Sequence, residues 1–142
     1  MSNTFGGYRR AGFSYNNSTA LSTTYAKIAL TADSTNAPRS ANVPPYCRIE
    51  DITFELSSLS GPPVTLTFYL ARDAAGDYPL TPEGTSTIVV GATTASLGGT
   101  AVVIGRDYMS TGAAPDVADT LYAIVKVSGG TTTAKIYLNW KA

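Results

Sequence analysis

The chain has 142 residues, with ten Lys plus Arg, ten Asp plus Glu, no histidine and a single cysteine, Cys47. That length suits one domain whose core is large enough to fold without disulfides or metal. A formal net charge of zero and a charged fraction of 14%, against about 25% in ordinary soluble domains, exclude a broad basic footprint for nucleic acid and favour a chain that packs against neighbours.

No apolar run approaches the roughly 20 residues of a membrane-spanning helix. The amino terminus lacks an apolar signal core behind a basic start, so synthesis in a cytoplasm without a leader is expected. Residues 1–11 are polar and glycine-bearing and read as an extended amino-terminal arm. Phe5, Tyr8, Arg9 and Arg10, with Phe13 just beyond, are its adhesive groups and candidate contacts to a protein neighbour. A solvated terminus is the plainer reading of the same residues.

From residue 12 to 142 the chain reads as one β-sandwich domain. Short runs rich in Val, Ile, Thr, Tyr and Phe alternate with Gly, Pro, Ser and Thr, and no stretch carries a helical apolar period. Weaker strands are expected at 12–16 and 25–30. Ile52, Phe54 and Leu56 then mark a strand, and the slip in alternation between Ile49 and Ile52 predicts a β-bulge at Glu50-Asp51. Leu66, Phe68 and Leu70 mark the next, which Gly61-Pro62-Pro63 separates from it in what reads as a hairpin. Further strands are expected at 86–91 and 97–104.

The carboxyl end is the clearest. Leu121, Ala123, Val125 and Val127 alternate with Tyr122, Ile124 and Lys126, and Ala134, Ile136, Leu138 and Trp140 alternate with Thr133, Lys135, Tyr137, Asn139 and Lys141. Ser128-Gly129-Gly130-Thr131 reads as a tight turn pairing these two strands. Trp140 shares a face with Ile136 and Leu138, which assigns it to the core. About eight short strands fit an all-β, two-sheet antiparallel sandwich, with the eight-stranded jelly roll as its commonest closed form. An immunoglobulin-like sandwich would want a Cys-Trp-Cys framework that this chain lacks.

Three longer connections, 31–45, 72–85 and 105–119, are the expected contact loops. Tyr46, Tyr78 and Tyr108 lie in or beside them, placed either to stack on sugar rings or to anchor a protein neighbour. Tyr69, Tyr122 and Tyr137 read instead as cover for an outer sheet face.

The residues offer little to catalysis. Without histidine, neither a Ser-His-Asp nor a Cys-His arrangement can form, and the usual zinc ligand is missing. Cys47, beside Tyr46, reads as a small core hydrophobe. No pair among the scattered acids stands out for glycosidase-type chemistry. Asp73, Asp77 and Glu83 share one loop, but their spacing matches no complete calcium loop and reads as a turn. No glycine-rich phosphate loop is present. No enzyme activity, catalytic residue, metal or cofactor is therefore expected.

The short polar start Met1-Ser2-Asn3-Thr4-Phe5-Gly6-Gly7, the Ala/Thr/Gly/Ser-rich strands and the closing runs Leu121–Val127 and Leu138-Asn139-Trp140-Lys141-Ala142 resemble small jelly-roll virion proteins of tailed bacteriophages, of the capsid decoration or cement type. That resemblance implies a structural virion protein that binds the major capsid protein and copies of itself, as a homodimer or homotrimer, and stabilises the shell. A carbohydrate-binding β-sandwich, such as a phage receptor-binding module, is the alternative, with a glycan as partner held by loop tyrosines. Neither reading involves nucleic acid or a membrane.

Overall fold

Strands that are apolar at every second position need a common dry side, and two stacked sheets supply it. The computed structural model describes residues 11–33, 40–57, 64–81, 86–90, 96–109 and 120–142. Among these there is no helix, and eight strands follow in order: β1 (Ala11–Leu21), β2 (Ala26–Leu30), β3 (Tyr46–Ser57), β4 (Val64–Ala71), β5 (Ser86–Val90), β6 (Ser96–Met109), β7 (Leu121–Val127) and β8 (Thr132–Lys141). They form two four-stranded sheets, ordered β1-β8-β3-β6 and β2-β7-β4-β5, with every paired neighbour antiparallel. The expected two-sheet antiparallel sandwich is the architecture of the molecule.

The connectivity has a simple logic. β1 pairs with β8, β2 with β7, β3 with β6 and β4 with β5, so the chain goes out through four strands and returns alongside itself as one long ribbon. Rolling that ribbon brings β8 against β3 and β7 against β4, which completes each sheet.

The core lies between the sheets. Ile49, Ile52, Phe54 and Leu56 of β3 and Ile136, Leu138 and Trp140 of β8 meet Leu66, Phe68 and Leu70 of β4 and Leu121, Val125 and Val127 of β7. At its centre the rings of Phe54 and Phe68 touch across the sheets, with centroids 4.9 Å apart. Trp140 is buried, as its strand pattern implies. Its indole N–H donates to Ser14 Oγ at 3.2 Å, and the Ser14 hydroxyl donates to the Ala41 carbonyl at 2.6 Å. One buried serine therefore joins β8, β1 and the segment beside β1.

That segment also covers a sheet edge. Tyr15 and Thr31 exchange backbone bonds of 2.7 and 3.0 Å, and Ala41 N–H donates to the Phe13 carbonyl at 3.0 Å. The outer edge of β1, which would otherwise present unpaired backbone groups, is satisfied at these positions.

The predicted bulge is present, and it is double. Between Ile49 and Asp51 the pairing of β3 slips against both neighbours. Against β8 the extra residue is Glu50, which lets Ile49 and Ile52 both face the core. Against β6 it lies between Val103 and Arg106, where Gly105 adopts a φ of 59° that a side chain would resist.

Two expected hairpins do not form. β7 and β8 lie in different sheets, as do β3 and β4. Alternation alone cannot separate a hairpin from an arch, because in both cases the apolar faces meet the same core. At 128–131 only Gly130 of the two glycines has a positive φ, so the type I′ turn, which needs two such residues, is absent. Ser128 is instead tied to β4, its N–H donating to the Thr65 carbonyl at 2.9 Å and its Oγ accepting from Thr65 N–H at 2.8 Å. The expected contact loop from 105 is also shorter at its start, since Gly105 to Met109 belong to β6.

Truncating the central ring, Phe54→Ala, is expected to lower unfolding stability by about 3–5 kcal/mol, as large-to-small changes in a close-packed core do. Ser14→Ala removes little volume but strips one partner each from a buried indole and a carbonyl, for a loss of about 1–3 kcal/mol. Denaturant unfolding of the two variants checks both values and their order.

Candidate functional site

Three of the four exposed large hydrophobic residues among the described ones lie on strands of the first sheet. Tyr46 opens β3 directly opposite Met109, which closes β6, and each is 56% exposed. Val103, on β6 beside the bulge, is 81% exposed. Beneath Tyr46 and Met109 a groove of about 440 Å³ reaches Cys47, Tyr108 and the terminal Ala142. Large apolar side chains held outward on paired strands, rather than on loops, form a surface that loses little entropy when covered.

Charged groups border this surface. Arg48 Nη1 lies 3.3 Å from Asp107 Oδ1, and Glu50 at the bulge sits 4.0 Å from Arg48 and 3.9 Å from Lys141 Nζ. These are surface ion pairs, each worth under about 1 kcal/mol to folding. Their effect here is to present both signs of charge next to Tyr46.

Further along the outer face of the same sheet, Phe13 and Tyr15 of β1 meet Tyr137 of β8. The Tyr15 and Tyr137 rings lie 5.0 Å apart, and Phe13 meets Tyr137 edge-on at 5.7 Å. Desolvation, with Asp33 and Glu55 nearby, pushes both tyrosine hydroxyls above their ordinary pKa, so they stay neutral donors. Asn139 Nδ2 donates to Asp51 Oδ1 at 2.6 Å beside them.

The second sheet's outer face is covered differently. Tyr69 and Ile124 are buried there under the loop after β4. The Tyr69 hydroxyl donates to the Gly76 carbonyl at 3.1 Å, and a Cβ at Gly76 would stand 2.6 Å from that hydroxyl. Tyr69 is thus enclosed rather than exposed, whereas Tyr122 and Tyr137 are half-buried on outer faces as expected. Asp73 builds the loop. Its two carboxylate oxygens accept from the N–H groups of Asp77, at 3.0 Å, and Tyr78, at 2.9 Å. Desolvation would raise the Asp73 pKa, but these and further backbone donors outweigh it and hold the carboxyl below its ordinary value. This is the turn role read from the sequence; Glu83 lies outside the described residues.

The expected contact residues therefore divide. Tyr46 and Tyr78, the latter 70% exposed, are available to a partner. Tyr108 is not: only 5% exposed, it packs in the core and carries the Arg72 guanidinium over its ring at 5.9 Å. Its place in the β6 alternation, opposite Cys47, turns it inward. Phe13, just beyond residues 1–11, is a sheet-face aromatic of β1 that meets Tyr137. Phe5, Tyr8, Arg9 and Arg10 lie outside the described residues. Sequence reasoning missed Met109, Val103, Arg72 and Arg106. Val103 stands in the uninterrupted run Val102-Val103-Ile104, where alternation cannot separate inside from outside.

Cys47 is buried in the core, and desolvation first, then the Asp107 charge, pushes its thiol up to about 12 from an ordinary 9.0. No cluster of three metal-binding side chains occurs among the described residues.

No family model matches the chain, and no curated protein matches it. Among solved structures, a chain from Bacillus endospore appendages, described as a family of disulfide-linked pili, is 16% identical with a TM-score of 0.29, covering 97% of this chain and 96% of that one. A chain from the infectious bursal disease virus Gx strain is 12% identical with a TM-score of 0.28, covering 94% of this chain and 32% of that one. Likeness at this level assigns no function.

Chemical outcomes follow for Cys47 and for Asp73. Folded protein at pH 8 should resist a thiol-labelling reagent that labels Cys47 at once in denaturant, because almost no thiolate is present four pH units below the pKa. With its folded pKa raised, the thiol's contribution to stability is complete below 9.0 and is lost as pH rises from 9.0 through about 12. Asp73 has the opposite sign: its contribution is present above the ordinary value of 3.8 and is lost as pH falls through the lower folded value. Hydrogen exchange at the Asp77 and Tyr78 amides should accelerate in Asp73→Ala while the β3 and β8 amides keep their protection.

Proposed function

We propose that this protein is a non-enzymatic structural component of a virus particle, a capsid decoration or cement protein that binds the major capsid protein and stabilises the shell. The observation that carries the reading is the Tyr46–Met109 pair at the end of the first sheet, with Val103 nearby on the same strand. Tyrosine and methionine are groups that protein interfaces favour, and here they stand on a rigid strand pair bordered by charges of both signs.

Three further features support it. The rolled ribbon, with sheets ordered β1-β8-β3-β6 and β2-β7-β4-β5, is the connectivity we read as a jelly roll, the fold that the resemblance to phage virion proteins implies. Zero net charge and a 14% charged fraction suit a subunit surrounded by neighbours. The absence of histidine from the sequence and the core burial of Cys47 leave acid–base and thiol chemistry without their usual groups. On this reading the chain acts in the virion, as a dimer or trimer, and the arm with Phe5, Tyr8, Arg9 and Arg10 adds a second contact.

Co-sedimentation with particles lacking the protein tests the proposal. Binding should saturate, and Tyr46→Ala with Met109→Ala should weaken it at least about tenfold, a loss of two interface anchors, while the unfolding midpoint is kept. Deleting residues 1–10 should reduce binding without unfolding the sandwich. A chain that stays monomeric and sediments with no particle contradicts the reading.

A further inference from the structure

A second cleft opens where residues 72–80 leave β4 and pass the edge of β6. Arg72, Asp77, Tyr78, Pro79, Leu80 and Arg106 line it, and it encloses about 610 Å³, within the roughly 300–1,000 Å³ of small-ligand sites. It is distinct from the groove beneath Tyr46 and Met109, with which it shares no lining residue.

Three kinds of chemistry converge there. Arg72 and Arg106 bring guanidinium groups from two different elements, the loop and β6. The ion pairs described above use Arg48 and Lys141, and among the described residues none engages Arg106. Tyr78 offers a largely exposed ring, and Asp77 offers a carboxylate.

The arrangement is held in place before any ligand arrives. Arg72 N–H donates to the Tyr78 carbonyl at 3.0 Å, which ties the two sides of the loop together. Asp73 fixes the backbone of Asp77 and Tyr78 through its two oxygens. Tyr108, buried beneath, supports the Arg72 guanidinium. A preorganised site gives up less entropy on binding.

We infer that this cleft binds an acidic sugar: the carboxylate lies between Arg72 and Arg106, the C–H face of the pyranose rests on Tyr78, and a ring hydroxyl donates to Asp77. Guanidinium groups match carboxylates through paired N–H donors. An acidic side chain of a protein would satisfy the arginines alone. It would leave Tyr78 and Asp77 without a role. A neutral sugar would leave unused the Arg106 guanidinium, which none of these ion pairs engages among the described residues. The inference does not rest on the assembly surface and stands or falls separately from it.

Calorimetry and saturation-transfer NMR on the full chain, with methyl glucuronide, N-acetylneuraminic acid, methyl glucoside and acetate as probes, decide the matter. At least one acidic sugar should bind saturably, and more tightly than methyl glucoside or acetate. Arg106→Ala should weaken it by about tenfold or more, the size of one lost charge-assisted contact. Tyr78→Ala should weaken the sugar and leave acetate unchanged. Both side chains are exposed, and an unchanged thermal midpoint confirms the fold. Should Arg106→Ala unfold the protein, Arg106→Lys, which keeps charge but loses the paired donors, is read in its place. Acetate binding as tightly as the sugars overturns the inference in favour of a socket for an acidic peptide side chain. Equal binding of the neutral glucoside, or no saturable binding of either acidic sugar, also overturns it.

Discussion

Contact between the two sheets is the constraint on which the rest depends. Phe54 and Phe68 meet at its centre, and each strand that contributes to it turns alternate residues inward. Once those residues are committed to a common core, the others must form outer faces, and the surface around Tyr46 and Met109 is the outward half of strands whose inward halves pack there. Tyr46 and Arg48 point away from the core because Cys47 and Ile49 point into it. The bulge at Glu50 and Gly105 is the adjustment that keeps this commitment intact, because it restores Ile52 to the inner face after Ile49.

Much of this was legible in the amino-acid pattern, because period-two alternation reports directly on a face that must be dry. Eight strands lie at or near the expected runs, the alternating ones among them most clearly, and β7 keeps the bounds its alternation implies. Trp140 and Cys47 are core residues as their neighbours indicate. What alternation does not encode is which strand lies beside which. Ser128-Gly129-Gly130-Thr131 joins two sheets although its composition is that of a hairpin turn. The difference rests on the Ser128 bonds to Thr65, a residue 63 positions away. Long-range pairing of this kind has no local signal.

The same limit governs the surfaces. Tyr78 was legible because it stands in a loop, and loops lie on surfaces. Tyr108 was misplaced because Gly105 looked like the start of a loop, whereas it is a bulge inside a longer strand. That single extension of β6 moves Tyr108 into the core, brings Met109 opposite Tyr46 and aims Arg106 at the loop after β4. Both proposed binding surfaces thus depend on one glycine with a positive φ. One is the strand-borne patch proposed to face a capsid neighbour, and the other is the arginine-lined cleft.

Hydroxyl-radical footprinting of Met109 and Tyr46, in the isolated chain and in assembled particles, tests the central claim most directly. Both side chains are exposed in the free protein and should be oxidised there, and assembly should protect them strongly while Tyr78 remains accessible. Equal oxidation of Tyr46 and Met109 in the free and assembled states would contradict the account.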